Sequence, residues 1–228
     1  LLVQAAADGD ASTVAMLLSQ GASMDARAED GFTPLSAAAF SGHTEVCKLL
    51  LRTGKANVKE TTPKGNTPLL LAAQDGHTEV CELLLDNGSD LEESEPRAQM
   101  TALHHAAIIG HESLLQLLLS HKYKADVNSR SKTEATPLLL ASQEGHLASV
   151  KILLQAGADP MLPDRVGFLP IHLAAQRNHD EVVWILIKQG GCSPDQVRHT
   201  ALQSIDHLYN FFKQGLTQCY LMTVSYTH

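Results

Sequence analysis

The chain has 228 residues, with 17 basic and 25 acidic side chains and a net charge of -8 at neutral pH. That balance argues against nucleic acid as a partner, because neutralising phosphates requires a basic face. No apolar run approaches the ~18 residues of a membrane span, and no basic-then-apolar signal opens the chain, so direct membrane insertion is not expected.

Residues 1–32 read as an opening pair of helices, with Val3 to Ala7 on the first and Val14, Met16, Leu17 and Leu18 on the second. The chain begins inside this unit, which reads as a piece of a longer protein. From there one pattern repeats. Thr33-Pro34-Leu35 returns as Thr67-Pro68-Leu69, Thr101-Ala102-Leu103, Thr136-Pro137-Leu138, Leu169-Pro170-Ile171 and Thr200-Ala201-Leu202, at spacings of 34, 34, 35, 33 and 31 residues. A Gly-His step follows each of the first five starts, as Gly42-His43, Gly76-His77, Gly110-His111, Gly145-His146 and a degraded Asn178-His179.

The most regular copy, residues 65–90, shows why the pattern predicts a helical hairpin. Thr67 caps a helix with its hydroxyl, and Pro68 at the first helical position gives up an N–H that the helix does not use. Ala72 and Ala73 keep one face thin. Gly76 and Gly88 end the two helices, where left-handed backbone is cheap for glycine. Leu83, Leu84 and Leu85 form the apolar side of the second helix. Such a hairpin is too small to bury its own apolar face and must stack on its copies.

These blocks resemble the ankyrin repeat, whose unit of about 33 residues carries Thr-Pro-Leu-His-x-Ala near its start. The resemblance covers residues 1 to about 199 and implies an all-α solenoid of about six repeats: 1–32, 33–66, 67–100, 101–135, 136–168 and 169–199. Residues 200–228 read as a degenerate cap and tail. The tail carries Tyr209, Phe211, Phe212, Tyr220 and Tyr226, and disorder is expected past about Leu216. Extra residues fall in connecting segments, at Lys55, at Tyr123 and Lys124, and within 91–100, where added length costs little.

Cys47 and Cys81 occupy one position in consecutive repeats, roughly 8–10 Å apart in stacked helices. That exceeds the ~7 Å Cα limit of a disulfide. Reduced thiols and an intracellular location, cytoplasmic or nuclear, are therefore expected. Most of the twelve histidines fall on repeat positions. Sites one repeat apart cannot converge on a metal with ligand bonds of ~2 Å. The resemblance implies that the loop histidines tie hairpin loops to helix starts. No metalloprotease, redox, nucleophile-elbow or phosphate-loop sequence is present, so no enzyme, cofactor or metal is expected.

What remains is binding. The resemblance implies that partner contacts come from the residue before each repeat start, from the connecting fingers and from the pair after Ala-Ala. Here these select Phe32, Phe40, Met100, Ile108, Ile109, Gln143, Glu144, Val166, Phe168 and Arg177. Large apolar residues at positions expected to face solvent suggest an interface. For Phe32 and Phe168, packing against the fingers is an equal reading. Asp86, Asp90, Glu92, Glu93 and Glu95 form an acidic stretch, and Lys122, Lys124, Arg130 and Lys132 a basic one, suited either to steering a charged peptide or to self-complementarity. The expected function is non-catalytic capture of a protein or peptide by a monomeric adaptor or scaffold. The alternatives are a recognition arm of a larger enzyme assembly such as a ubiquitin ligase, and a cytosolic region of a membrane protein.

Overall fold

The computed structural model describes residues 1–52 and 56–193; Lys55, Cys219 and the expected cap and tail lie outside them. Among the described residues twelve α-helices and no strand form six hairpins: α1 (Leu2–Ala7) with α2 (Ala11–Ser19), α3 (Pro34–Phe40) with α4 (Thr44–Arg52), α5 (Pro68–Gln74) with α6 (Thr78–Asp86), α7 (Ala102–Ile109) with α8 (Glu112–Leu118), α9 (Pro137–Glu144) with α10 (Leu147–Gln155), and α11 (Pro170–Gln176) with α12 (Asp180–Lys188). Odd-numbered helices stack on odd and even on even, giving an inner and an outer layer.

The helix starts follow from side-chain chemistry. The Thr33, Thr67 and Thr136 hydroxyls accept N–H bonds from Ser36, Leu70 and Leu139, at 3.3, 3.4 and 3.2 Å. Each satisfies a donor that a helix start otherwise leaves open. Where this residue is followed three positions on by histidine, the ring completes the cap: Nδ1 of His104 accepts from Thr101 N–H at 3.2 Å, and Nδ1 of His172 from Leu169 N–H at 3.0 Å.

Burial explains the layers. Ala38, Ala39, Ala72, Ala73, Ala106 and Ala107 are fully buried between inner helices, which approach closely because nothing larger than a methyl separates them. The outer layer is closed by Val46, Leu50, Val80, Leu84, Val150 and Leu153, also fully buried. Each such side chain stabilises the stack by on the order of 2 kcal/mol. Cys47 and Cys81 pack among them as free thiols. Trp184 instead stands on the outer surface of α12, 41% exposed, with the Lys188 ammonium 4.4 Å from its ring centre.

The loop histidines differ from the expectation in their partner. Their Nε2–H groups donate across the repeat boundary, from His43 to the Ala7 carbonyl (2.9 Å), His77 to Phe40 (3.0 Å), His146 to Ile108 (2.8 Å) and His179 to Gln143 (3.0 Å). They join each hairpin to the one before it, because the carbonyls ending the preceding inner helix have no intrahelical donor left. The ring of each also covers a glycine of that preceding loop. A Cβ on Gly42 would lie 2.5 Å from His77 Cε1, whereas one on Gly88 would meet nothing within 4 Å.

These two glycines have φ of +75° and +90°, so alanine at either incurs left-handed strain of about 1–2 kcal/mol. Gly42→Ala must also displace the His77 ring. Urea denaturation should show Gly42→Ala less stable than Gly88→Ala by at least about 1 kcal/mol; equal losses would mean the ring does not hold the joint.

Candidate functional site

The cross-boundary bonds decide which way the inner-helix ends face. In three of the four, the accepting carbonyl belongs to a residue of the pair after Ala-Ala, namely Phe40, Ile108 and Gln143. With that peptide fixed, the neighbouring side chains are presented at the open edge of the inner layer. Phe40 is 44% exposed and Ile109 40%, large apolar surfaces left uncovered at the ends of α3 and α7. Ile108 is half-buried. The equivalent polar pairs are Gln74-Asp75, Gln143-Glu144 and Gln176-Arg177.

The candidate residues fall into separate groups. Phe32 and Phe40 meet edge-to-face with ring centres 6.0 Å apart, one half-buried and one exposed. They border a cavity of about 530 Å³ between α1, α3 and the first finger, lined also by Leu2, Val3, Arg27 and Ala37. Toward the other end of the array, the Gln143 amide donates to Glu144 at 3.1 Å, and Glu144 faces Arg177 at 3.8 Å. Phe168 is half-buried, edge-on to His172 at 6.3 Å. Val166 is 77% exposed on its finger. Met100 is half-buried, with its N–H bonded to Glu95 at 3.4 Å. The structure thus joins Phe32 to Phe40, and Gln143 to Glu144 and Arg177, and places Met100, Val166 and Phe168 on the fingers.

The fingers are held by their own polar groups. Asp90, Asp126 and Asp159 each accept an N–H two residues on, at 3.0, 3.0 and 2.8 Å, which sets the first bend. Thr62, Ser131 and Asp164 close the tip by accepting from Asn66, Ala135 and Phe168 at 3.3, 3.1 and 2.8 Å. Glu95 does this work in the third finger, taking N–H bonds from Arg97 (2.6 Å) and Ala98 (2.7 Å). It is therefore buried rather than available for steering.

Two arginines, Arg27 and the Arg130 of the basic stretch, bind neighbouring fingers together. Arg27 donates to Gly31 and Thr61 carbonyls at 2.9 and 3.3 Å and pairs with Glu60. Arg130 donates to the Glu134 and Pro163 carbonyls at 2.7 and 2.6 Å. Both stand six residues before a repeat start, a register that marks them as equivalent once the repeats are aligned. Ala135, which precedes a start, is buried and so is not on offer.

The acidic and basic stretches meet each other. Lys122 lies 2.6 Å from Asp86 and 3.8 Å from Glu82, and the Tyr123 hydroxyl donates to Asp86 at 2.7 Å. These bonds from Lys122 and then Tyr123 hold the Asp86 carboxyl below its ordinary range. Glu92 accepts from Asp126 N–H at 3.0 Å. The self-complementary reading describes these groups, and the steering reading loses Lys122, Asp86, Glu92 and Glu95.

The three described cysteines are buried free thiols. Burial pushes the Cys47 and Cys81 thiols up to about 12 and Cys192 to about 11. Among the described residues no three His, Cys, Asp or Glu side chains converge on a metal-sized site. His104 is fully buried at the joint between the fourth and fifth hairpins: Nδ1 accepts from Thr101, and Nε2–H donates to the Ala135 carbonyl at 3.1 Å. Burial drives its pKa down to about 4, only partly opposed by the bond to Ala135. Burial also lowers His105, against a raising influence from Glu95. No described helix is long and apolar enough to cross a membrane.

Stacked helical hairpins, joined by side-chain-to-backbone bonds and offering helix ends and fingers along one edge, define a helical repeat solenoid. The family models for ankyrin repeats match residues 2–95, 89–164 and 166–199, and the chain belongs to the ankyrin repeat family. Such repeats generally act as protein–protein interaction modules and are typically non-catalytic. Among solved structures, the human ASB11 ankyrin repeat domain is similar with a TM-score of 0.75 and 27% identity, covering 83% of each chain. A chain from the complex of the predatory endopeptidase Bd0816 of Bdellovibrio bacteriovorus with immunity protein Bd3460 gives a TM-score of 0.73 and 25% identity, covering 82% of this chain and 97% of that one. In sequence, 71 residues are 37% identical to the human transient receptor potential cation channel subfamily A member 1, covering 30% of this chain but only 6% of that protein.

The neutral His104 ring has a direct consequence in acid. With the folded pKa near 4 and the unfolded value near 6.5, the unfolded chain binds the extra proton first. Stability is therefore complete above pH 6.5 and is lost as pH falls toward 4, by up to about 3 kcal/mol from this group. Equivalent positions carry the buried Leu70 and Leu139, so the site accepts leucine shape. His104→Leu should flatten the fall in stability between pH 6.5 and 4 in denaturant titrations; an unchanged slope would place the acid sensitivity elsewhere.

Proposed function

We propose that the array captures a partner protein or peptide along the open edge of its inner helices and fingers, as an adaptor or scaffold rather than a catalyst. The observation that carries this reading is the exposure of Phe40 and Ile109 at helix ends whose backbone is pinned by the next hairpin. A pinned apolar side chain binds with little loss of conformational freedom. Phe32 backs Phe40. Ile108 adjoins Ile109; Met100, Val166 and Phe168 extend the surface along the fingers, and Gln143, Glu144 and Arg177 form its polar end. In this reading residues 1–199 are the recognition array, and the protein works as a monomer inside the cell, where buried free thiols persist. The immunity-protein complex among the structural neighbours supports partner binding by this architecture.

The likeness to a stretch of a cation channel supports a second reading, in which the array is the cytosolic part of a membrane protein. Both readings use the same surface.

The test is a Phe40→Ser, Ile109→Ser double variant compared with the unaltered chain in partner capture and thermal melting. Capture should be lost while stability changes by less than about 1 kcal/mol, as for exposed positions. Retained capture would remove these residues from the interface. Ile108→Ser should be costlier because that side chain is half-buried.

A further inference from the structure

The finger tips carry a pattern that the groove residues do not. In the second to fifth fingers, one exposed cation stands at each tip: Lys64, Arg97, Lys132 and Arg165. None of the four enters an ion pair or side-chain hydrogen bond among the described residues. The carboxylates that would neutralise them are occupied elsewhere. Glu95 and Asp164 are turned onto their own backbone N–H groups, and Glu60 is paired with Arg27. Glu134 is the one exposed carboxylate left at these four tips. In a chain of net charge -8 this is a local inversion of sign.

The row is also held in place. Lys132 N–H donates to the Ala98 carbonyl at 2.7 Å, and Arg165 N–H to the Thr133 carbonyl at 2.9 Å, so three successive tips are joined by main-chain bonds. A Cβ on Gly65 would lie 2.4 Å from the Pro96 ring, so the second tip packs directly on the third. The first finger ends the row, because it presents Glu29 and Asp30.

We propose that this row docks an extended acidic segment of the partner protein, with its carboxylates spaced three residues apart. Successive hairpins are separated by roughly 10 Å, the packing distance of their helices. A polyproline II chain rises about 3.1 Å per residue with three residues per turn, so every third side chain lies on the same side and comes opposite a new finger. The match is between four regularly spaced cations and a periodic acidic segment, and the acidic first finger sets where that acidic run stops. The inference rests on the proposed partner-binding surface and names the chemistry of what lies along its finger edge.

The probe is a fluorescent ten-residue peptide with glutamate at every third position and serine between. Anisotropy titrations would compare it with a peptide of identical composition whose glutamates are consecutive, and with a single-stranded DNA oligomer of equal length. The spaced peptide should bind the full chain, weaken steeply with added salt, and exceed the consecutive one in affinity. Converting Lys64, Arg97, Lys132 and Arg165 to glutamate should lower its affinity at least about tenfold without shifting the melt. Glu29→Lys should strengthen it, by removing the like charge at the end of the row. Equal binding of both peptides overturns the register, and tighter binding of the DNA overturns the acidic-protein assignment. Failure of the spaced peptide, with partner capture still sensitive to Phe40→Ser and Ile109→Ser, overturns this inference and leaves the groove reading standing. Failure of both removes both.

Discussion

A two-helix hairpin cannot bury its own apolar face, and everything in this protein follows from how each hairpin is fastened to the next. Apolar burial supplies most of the free energy, but leucine and alanine contacts alone would permit neighbouring hairpins to slide. The loop histidine prevents this. Its Nε2–H reaches a carbonyl at the end of the preceding inner helix, while its ring lies on the glycine that ends the same helix. One side chain thus satisfies an otherwise open acceptor and fills the space that a glycine leaves.

The opposite edge is fastened by different chemistry. Arg27 and Arg130 each reach from one finger to the next through main-chain carbonyls. A planar guanidinium with five donors suits this, since two carbonyls can be served at once in fixed directions. Between the fingers, Lys132 and Arg165 contribute backbone N–H groups and leave their charged ends free. The polar groups that hold the fold and those left for a partner are therefore distinct, often within a single residue.

Most of the fold was legible because repetition converts weak signals into strong ones. Thr67 alone says little, but Thr33, Thr67 and Thr136 at matched spacing predict caps that the structure contains. Periodicity shows which residues are equivalent without showing what each one touches. This is why the loop histidines were expected to tie loops to helix starts and not to the end of the preceding inner helix, why Arg130 read as part of a basic stretch, and why Arg27 was overlooked. Glu95 read as part of an acidic patch because nothing in the sequence reveals that a longer finger needs a carboxylate to gather its N–H groups. The exposure of Phe40 followed from its repeat position, whereas the half-burial of Ile108 beside the exposed Ile109 did not.

Because the fastening lies between hairpins, the natural unit of stability is the joint and not the repeat. The six described hairpins share five such joints. Losing a hairpin at either end of that set breaks one joint, while melting one in the middle breaks two. Nearest-neighbour coupling of this kind makes fraying from the ends the cheapest way to open the stack. His104 spans the fourth of these five joints, between the fourth and fifth hairpins. A single buried ring there belongs energetically to both halves of the molecule.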